Sequence, residues 1–384
     1  MKPVTKTIAI ILSALMFAGC LHKHDQKNKA TSAKHTIEKA STVDTGEKPI
    51  HRYSDQQLET FLDSVGHLAT QPLADKAAFG ADSVFKSPSP VDTLISPEDF
   101  AILKRAAKKG VMTVKTARRI FKNNTISYDC NVKDVLLTYK VGLIPVVYTP
   151  FTKDKNAFNE FSLCLGDPGH CGSAILYFFV GPRIIAIHDG YNRNAPDLAY
   201  FKDSDGKIVV YYGRQFDSGS GIWWFNYFFY KYEENKLIPV LNIPQNINLL
   251  QPSPWCVREL WLETFIQKTN PLTIKMVYHQ QLPDTQKFDH FTIDPNSGPM
   301  IVNDSTYIRY SWNEKTKSFE GNFNGAKINQ AQILSYYLID NELLFINAYN
   351  KNLKLLLLDK AKRGTTLHYL NEIKYYTKGN KGGG

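Results

Sequence analysis

Four cysteines, Cys130, Cys164, Cys171 and Cys256, are the residues of this chain most suited to covalent chemistry. A thiol becomes a nucleophile when a histidine base lies within reach, and His170 and His188 are the candidates for that role. The same four, being even in number, can instead close two disulfides in any of three pairings. Asp167-Pro168-Gly169 is a turn signal between Cys164 and Cys171, so a bridge clamping a hairpin is the simplest pairing and leaves Cys130 for Cys256. A second group could bind without covalent chemistry, the aromatic run from Trp223 to Tyr230. Strand alternation sends Trp223, Phe225, Tyr227 and Phe229 to one face and Trp224, Phe228 and Tyr230 to the other. Aromatics on both faces describe a central strand covered on both sides. Left uncovered, Trp223, Trp224, Tyr227 and Tyr230 would form a platform on which a sugar ring or a peptide stacks.

The compartment decides between these readings, and the first twenty residues speak to it. Lys2 and Lys6 give a positive start, Ile8 to Phe17 is a short apolar run, and Ala18-Gly19 places small residues directly before Cys20. That order is an export signal, and the run is shorter than the roughly 20 apolar residues of a spanning helix. Phe17-Ala18-Gly19-Cys20 resembles the lipobox of bacterial lipoproteins. The resemblance implies acylation of Cys20, which becomes the first residue of the mature chain, and a place in the cell envelope, lipid-anchored in the outer membrane. In that oxidising space the four remaining cysteines read first as disulfides.

Two further resemblances cover short stretches. Tyr128-Asp129-Cys130, followed by Asp134-Val135-Leu136-Leu137 and Val141-Gly142-Leu143-Ile144-Pro145, resembles the nucleophile helix of papain-like cell-wall peptidases, which implies a catalytic Cys130 as the alternative to a bridge. Asp189-Gly190-Tyr191-Asn192-Arg193-Asn194-Ala195-Pro196-Asp197 resembles the calcium loop of integrin-type propeller repeats, with Tyr191 and Arg193 where that loop carries oxygen ligands. No metal site and no cofactor are expected. Asp217-Ser218-Gly219-Ser220-Gly221 lacks the glycine of a nucleophile elbow, Asp203-Ser204-Asp205-Gly206 reads as a hairpin turn, and no phosphate-cradling glycine loop occurs.

The formal net charge is +10, and much of it is local. Lys104, Arg105, Lys108, Lys109, Lys115, Arg118, Arg119 and Lys122 are interrupted by no Asp or Glu. Read as more than a solvated helix face, such a patch in an exported chain meets anionic lipid or a cell-surface polymer, not nucleic acid. The expected partners are the membrane through its lipid anchor and an envelope glycan or another envelope protein.

These residues are positioned by an organisation that changes along the chain. Residues 1–20 are the leader, and residues 21–50 hold too little apolar surface to offset ordering entropy, so they read as a disordered tether. Residues 51–122 form a small helical segment. Ser54 caps an amphipathic run, Ser96-Pro97-Glu98-Asp99 opens a second helix, Gly110 ends it, and a third starts near Val114, a spacing that mimics a helix-turn-helix. Residues 123–378 carry short apolar and aromatic runs separated by turns, among them Asp205-Gly206, Asn270-Pro271 and Asn313 to Lys317. Strands are expected throughout, including Ile333–Leu338, Leu343–Ala348, Leu353–Leu358 and Tyr369–Tyr376, before a flexible tail at residues 379–384. Tyr230 to Leu237 and Arg309 to Phe319 echo each other. The fold class is mainly β: one large antiparallel domain, propeller-like, barrel or sandwich, working as a binding or assembly module.

Overall fold

Local capping rules start the first helices. In α1 (Asp55–Gly66) the Ser54 hydroxyl accepts the Gln57 N–H at 3.3 Å while the Gln57 side chain accepts the Ser54 N–H at 2.9 Å, a reciprocal capping box. After α2 (Gln71–Ser83) and strand β1 (Ser89–Leu94), Ser96 caps α3 (Pro97–Lys109), with proline in the first turn and Gly110 closing the helix at φ 72°. Strand β2 (Val111–Thr113) and helix α4 (Val114–Phe121) follow. The computed structural model describes residues 52–83, 89–122, 142–167, 174–189, 198–219, 222–249, 258–282, 298–336 and 342–379, all within the unit Pro49–Gly384.

Two antiparallel sheets make up the body. β3 (Leu143–Pro150), β4 (Glu160–Gly166), β5 (Ala174–Val180) and β6 (Arg183–Asp189) join β1 and β2 in a six-stranded sheet of order β1-β6-β5-β4-β3-β2. The other sheet is an eight-stranded meander in sequence order. It runs through β7 (Ala199–Lys202), β8 (Ile208–Gly219), β9 (Ile222–Glu233), β10 (Lys236–Leu249), β11 (Glu259–Thr269), β12 (Leu272–Gln281), β13 (Met300–Asn313) and β14 (Ser318–Asn322). The hairpins at Asp205-Gly206, Asn270-Pro271 and Asn313 to Lys317 fall where the turn residues put them.

The sheets stack face to face. Leu176, Phe178, Ile185 and Ala186 of the six-stranded sheet meet Ile208, Val210 and Tyr212 of β8 and Phe228, Tyr230 and Tyr232 of β9. The outer face of the same sheet, with Leu163, Leu165, Ile175, Tyr177 and Phe179, is covered by Leu103 and Ala106 of α3 and by Ala117, Ile120 and Phe121 of α4. A strand covered on both faces needs no polar alternation, which is why β5 reads Ala-Ile-Leu-Tyr-Phe-Phe-Val. The eight-stranded sheet rolls on itself, bringing β14 back against β10. Phe229, Val240, Ile243, Ile274, Met276, Ile308 and Phe319 fill the roll together with Ile333 and Tyr336. The architecture is mainly β, two antiparallel sheets packed face to face with the larger one rolled on itself.

The C-terminal region corrects the expected strands. Residues 330–379 form α5 (Gln330–Ser335), α6 (Glu342–Ala348), α7 (Asn350–Leu358) and α8 (Arg363–Gly379). Burial of Leu353, Leu356 and Leu357, then of Leu367, Leu370 and Ile373, follows a three-to-four residue period that belongs to helices. The helical segment 51–122 is also not one unit. β1 and β2 are strands, and α3 and α4 cover the six-stranded sheet, whereas α1 packs with α6, α7 and α8. Asn350 Nδ2 donates to the Leu62 carbonyl at 2.8 Å and Asn347 Nδ2 to that of Val65 at 2.8 Å, so side chains from the C-terminal helices fasten the last turn of α1.

Candidate functional site

The basic patch of the sequence becomes one wall of a groove. α3 buries Leu103 and Ala106 against the sheet, which turns Ala101, Lys104, Arg105 and Lys108 away from it and leaves Phe100, half-buried at the edge of that core, on the border of the groove. The connection from β3 to β4 supplies the other wall with Asn156, Phe158 and Asn159, and the space between is about 540 Å³. Aromatic packing fixes that wall. Phe158 stacks on Tyr148 at 4.6 Å and meets Phe161 and Phe100 edge-on at 5.3 and 6.2 Å. The Tyr148 hydroxyl donates to the Ala157 carbonyl. Burial, and then the negative charge of Asp154, push this phenol up to about 12, so it remains a donor throughout the physiological range.

The charge of the groove is unbalanced. Elsewhere on these helices Arg119 pairs with Asp99 at 2.5 Å, but among the described residues Lys104, Arg105 and Lys108 enter no ion pair, and the Lys104 ammonium lies 4.8 Å from the Phe100 ring centroid. Lys108 and Lys109 stand in the last turn of α3, where they also complement the negative end of the helix dipole. Lys104 and Arg105, farther up the helix, have no such structural role. Cations above an aromatic floor, with two carboxamides opposite, can hold an anionic group on a ring-bearing ligand through charge, stacking and hydrogen bonds at once.

The aromatic run of β9 is the covered central strand. Trp224 and Tyr230 are buried, Tyr227 is half-buried, and Trp223 alone of those four is open to solvent. A four-residue platform is therefore not present. His188 is also interior, 2 % exposed, with its ring between Phe178 and Tyr230 at 4.7 and 4.6 Å and its Nδ1 hydrogen-bonded to the Tyr212 hydroxyl at 2.5 Å. Burial, reinforced by the positive charge of Arg214, holds its pKa well below the ordinary value and keeps the ring neutral.

Of the cysteines, Cys164 is described. It sits half-buried on β4 opposite Leu176, which in turn faces His188. Two strand spacings, about 10 Å of backbone separation, stand between that thiol and that imidazole. The hairpin expected around Asp167-Pro168-Gly169 joins β4 to β5. Cys20, Cys130, Cys171, Cys256 and His170 lie outside the described residues, as does the body of the calcium-loop resemblance, residues 190–197. Among the described residues no disulfide and no cluster of metal-ligating side chains is present, and no helix is long and apolar enough to cross a membrane.

The aromatic and amide half of the groove was not expected, because Asn156, Phe158 and Asn159 lie in a short polar connection with no motif. Their one sequence cue is a pair of phenylalanines, Phe158 and Phe161, spaced to flank a strand start. No family model, curated protein or solved structure matches this chain.

Proposed function

We propose that this chain is a lipid-anchored cell-envelope protein, attached through Cys20, whose β domain is a binding module for an anionic envelope glycan held in the α3 groove. The observation that carries the reading is the groove itself, with Lys104, Arg105 and Lys108, which enter no ion pair among the described residues, beside Phe100 and Phe158. A trough between a helix and a loop admits a chain-like ligand better than a flat bilayer, and its rings suit the apolar face of a sugar. Of the residues that the papain-like alternative needs, His188 is enclosed between the sheets, while Cys130 and His170 lie outside the described residues.

Binding of polygalacturonate tests the groove, with neutral dextran as control. Lys104→Gln/Arg105→Gln/Lys108→Gln is expected to weaken polygalacturonate binding at least about tenfold at low ionic strength, with the difference shrinking as salt screens the charges. Equal affinity of variant and native chain for polygalacturonate at low salt rejects the groove as the site. Cys20→Ser tests the anchor separately. The variant is expected to leave the membrane fraction or to accumulate unprocessed, and retention of a processed form on membranes after high-salt washing refutes acylation.

A further inference from the structure

We infer that the open edge of α7, built on Leu355 and Leu358, is the surface with which the anchored protein rests on the lipid bilayer, an inference that rests on the lipidation of Cys20 proposed above. α7 buries Leu353, Leu356 and Leu357 among α1, α6 and α8, so its remaining leucines face outward. Leu355 is 59 % exposed and Leu358, at 79 %, is the most exposed large apolar side chain among the described residues. They line a shallow groove of about 470 Å³ together with Ala348, Lys351 and Lys354. An isolated exposed leucine is ordinary, but two neighbours at i and i+3 on a short helix, flanked by lysines, form the apolar side of an interfacial helix.

The path of the chain identifies the occupant. Arg52 joins the body on α8, its N–H donating to Asn371 Oδ1 at 3.1 Å and its guanidinium lying 3.2 Å from the Tyr375 ring centroid. α7 and α8 belong to one helical layer, so the segment that starts at Cys20 reaches the protein on the layer that carries the leucines. About thirty residues separate Cys20 from Arg52. An acyl chain on Cys20 would therefore draw the protein to the bilayer from the layer that Arg52 joins. Charge contributes little. Lys354 pairs with Asp63 at 2.8 Å, Lys362 with Asp359 at 3.0 Å and Arg363 with Glu59 at 2.7 Å, which leaves Lys351 as the one cation of the groove with no ion pair among the described residues, so apolar insertion carries the contact and anionic lipid is not required.

The test uses the acylated protein on phosphatidylcholine vesicles with brominated acyl chains. Relative to the native chain, the emission added by Leu358→Trp is expected to be quenched, while that added by Val147→Trp, a half-exposed position on the six-stranded sheet, is not. A second arm takes the mature chain with Cys20→Ser, which is expected to partition onto neutral vesicles to the same extent at low and high salt, and about tenfold less when Leu355→Gln/Leu358→Gln is added. Vesicle-bound Leu358→Trp protein whose added emission stays unquenched overturns the inference, as does a double variant that partitions like its parent. So does a solution dimer that only the double variant dissolves, because the face then belongs to a second copy. If the acylated protein fails to sediment with vesicles, it is the anchor that fails, and the Cys20→Ser arm still decides the leucine surface.

Discussion

Arg258→Ala is expected to cost about 3–5 kcal/mol of stability, the range for removing one partner of a buried ion pair. Arg258 is 2 % exposed and stands directly before β11. Its Nε donates to Glu342 Oε2 at 2.8 Å, a terminal nitrogen donates to Gln280 Oε1 on β12, and the other donates to the Ser335 carbonyl at the end of α5 at 3.2 Å. The guanidinium also lies 4.0 Å from the Phe345 ring centroid, and the Tyr369 hydroxyl donates to the same Glu342 oxygen at 2.6 Å. One side chain thus ties the eight-stranded sheet to α5, α6 and α8. Truncation leaves the Glu342 carboxylate buried beside an apolar ring with only a tyrosine to solvate it. Replacing both charges, as in Arg258→Met/Glu342→Leu, is expected to recover much of the loss, because no lone charge then remains. Chemical denaturation of the native chain, Arg258→Ala and the double variant provides the check, and a loss below about 1 kcal/mol for Arg258→Ala would remove the network from the interactions that hold the helices to the sheet.

What was legible in the sequence was local or strictly periodic. Ser54 with Gln57, and Ser96 with Pro97, mark helix starts because capping involves only a few consecutive residues. Turn residues likewise placed three hairpins of the meander, at Asp205-Gly206, Asn270-Pro271 and Asn313 to Lys317. The two stretches that echo each other fall on hairpins, β9 to β10 and β13 to β14, and the roll of the sheet brings them together, with Lys317 3.4 Å from Glu233. Lys231, at the base of the first, is wholly buried, held by Asp203 and Asp205 at 2.8 Å each and 3.7 Å from the Trp312 ring centroid on the second.

The C-terminal helices were not legible because Leu355 to Leu358 is four leucines in a row, which carries no period. Its helical state is decided by docking on α1, nearly three hundred positions earlier in the chain. A cue did exist at Asn329 and Gln332, whose reciprocal hydrogen bonds of 2.8 Å each form a capping box at the start of α5. The groove divides in the same way. The cations of α3 stand out in the sequence, but Phe158 and the two asparagines acquire a role only when the β3 to β4 connection folds against that helix.

A bridge from Cys130 to Cys256 is expected to contribute about 4–5 kcal/mol in the loop-entropy model, since it would close a loop of more than a hundred residues. Both cysteines lie outside the described residues, yet the elements that follow them indicate what the bridge would join. Cys130 precedes β3 of the six-stranded sheet, and Cys256 precedes β11 of the eight-stranded one, so the link would keep the segments that form the two sheets near each other in the unfolded chain. A bridge between Cys164 and Cys171 closes a loop inside the single hairpin from β4 to β5 and is expected to contribute less, roughly 2–3 kcal/mol. Cys130→Ala/Cys256→Ala should therefore lower the melting temperature more than Cys164→Ala/Cys171→Ala. Non-reducing peptide mapping after alkylation is the direct measurement, and the expected result is that all four thiols of the mature protein resist labelling. Rapid alkylation of Cys130 near neutral pH would show a thiolate instead of a bridge, and would move the reading of this domain from a glycan-binding module to a cysteine peptidase.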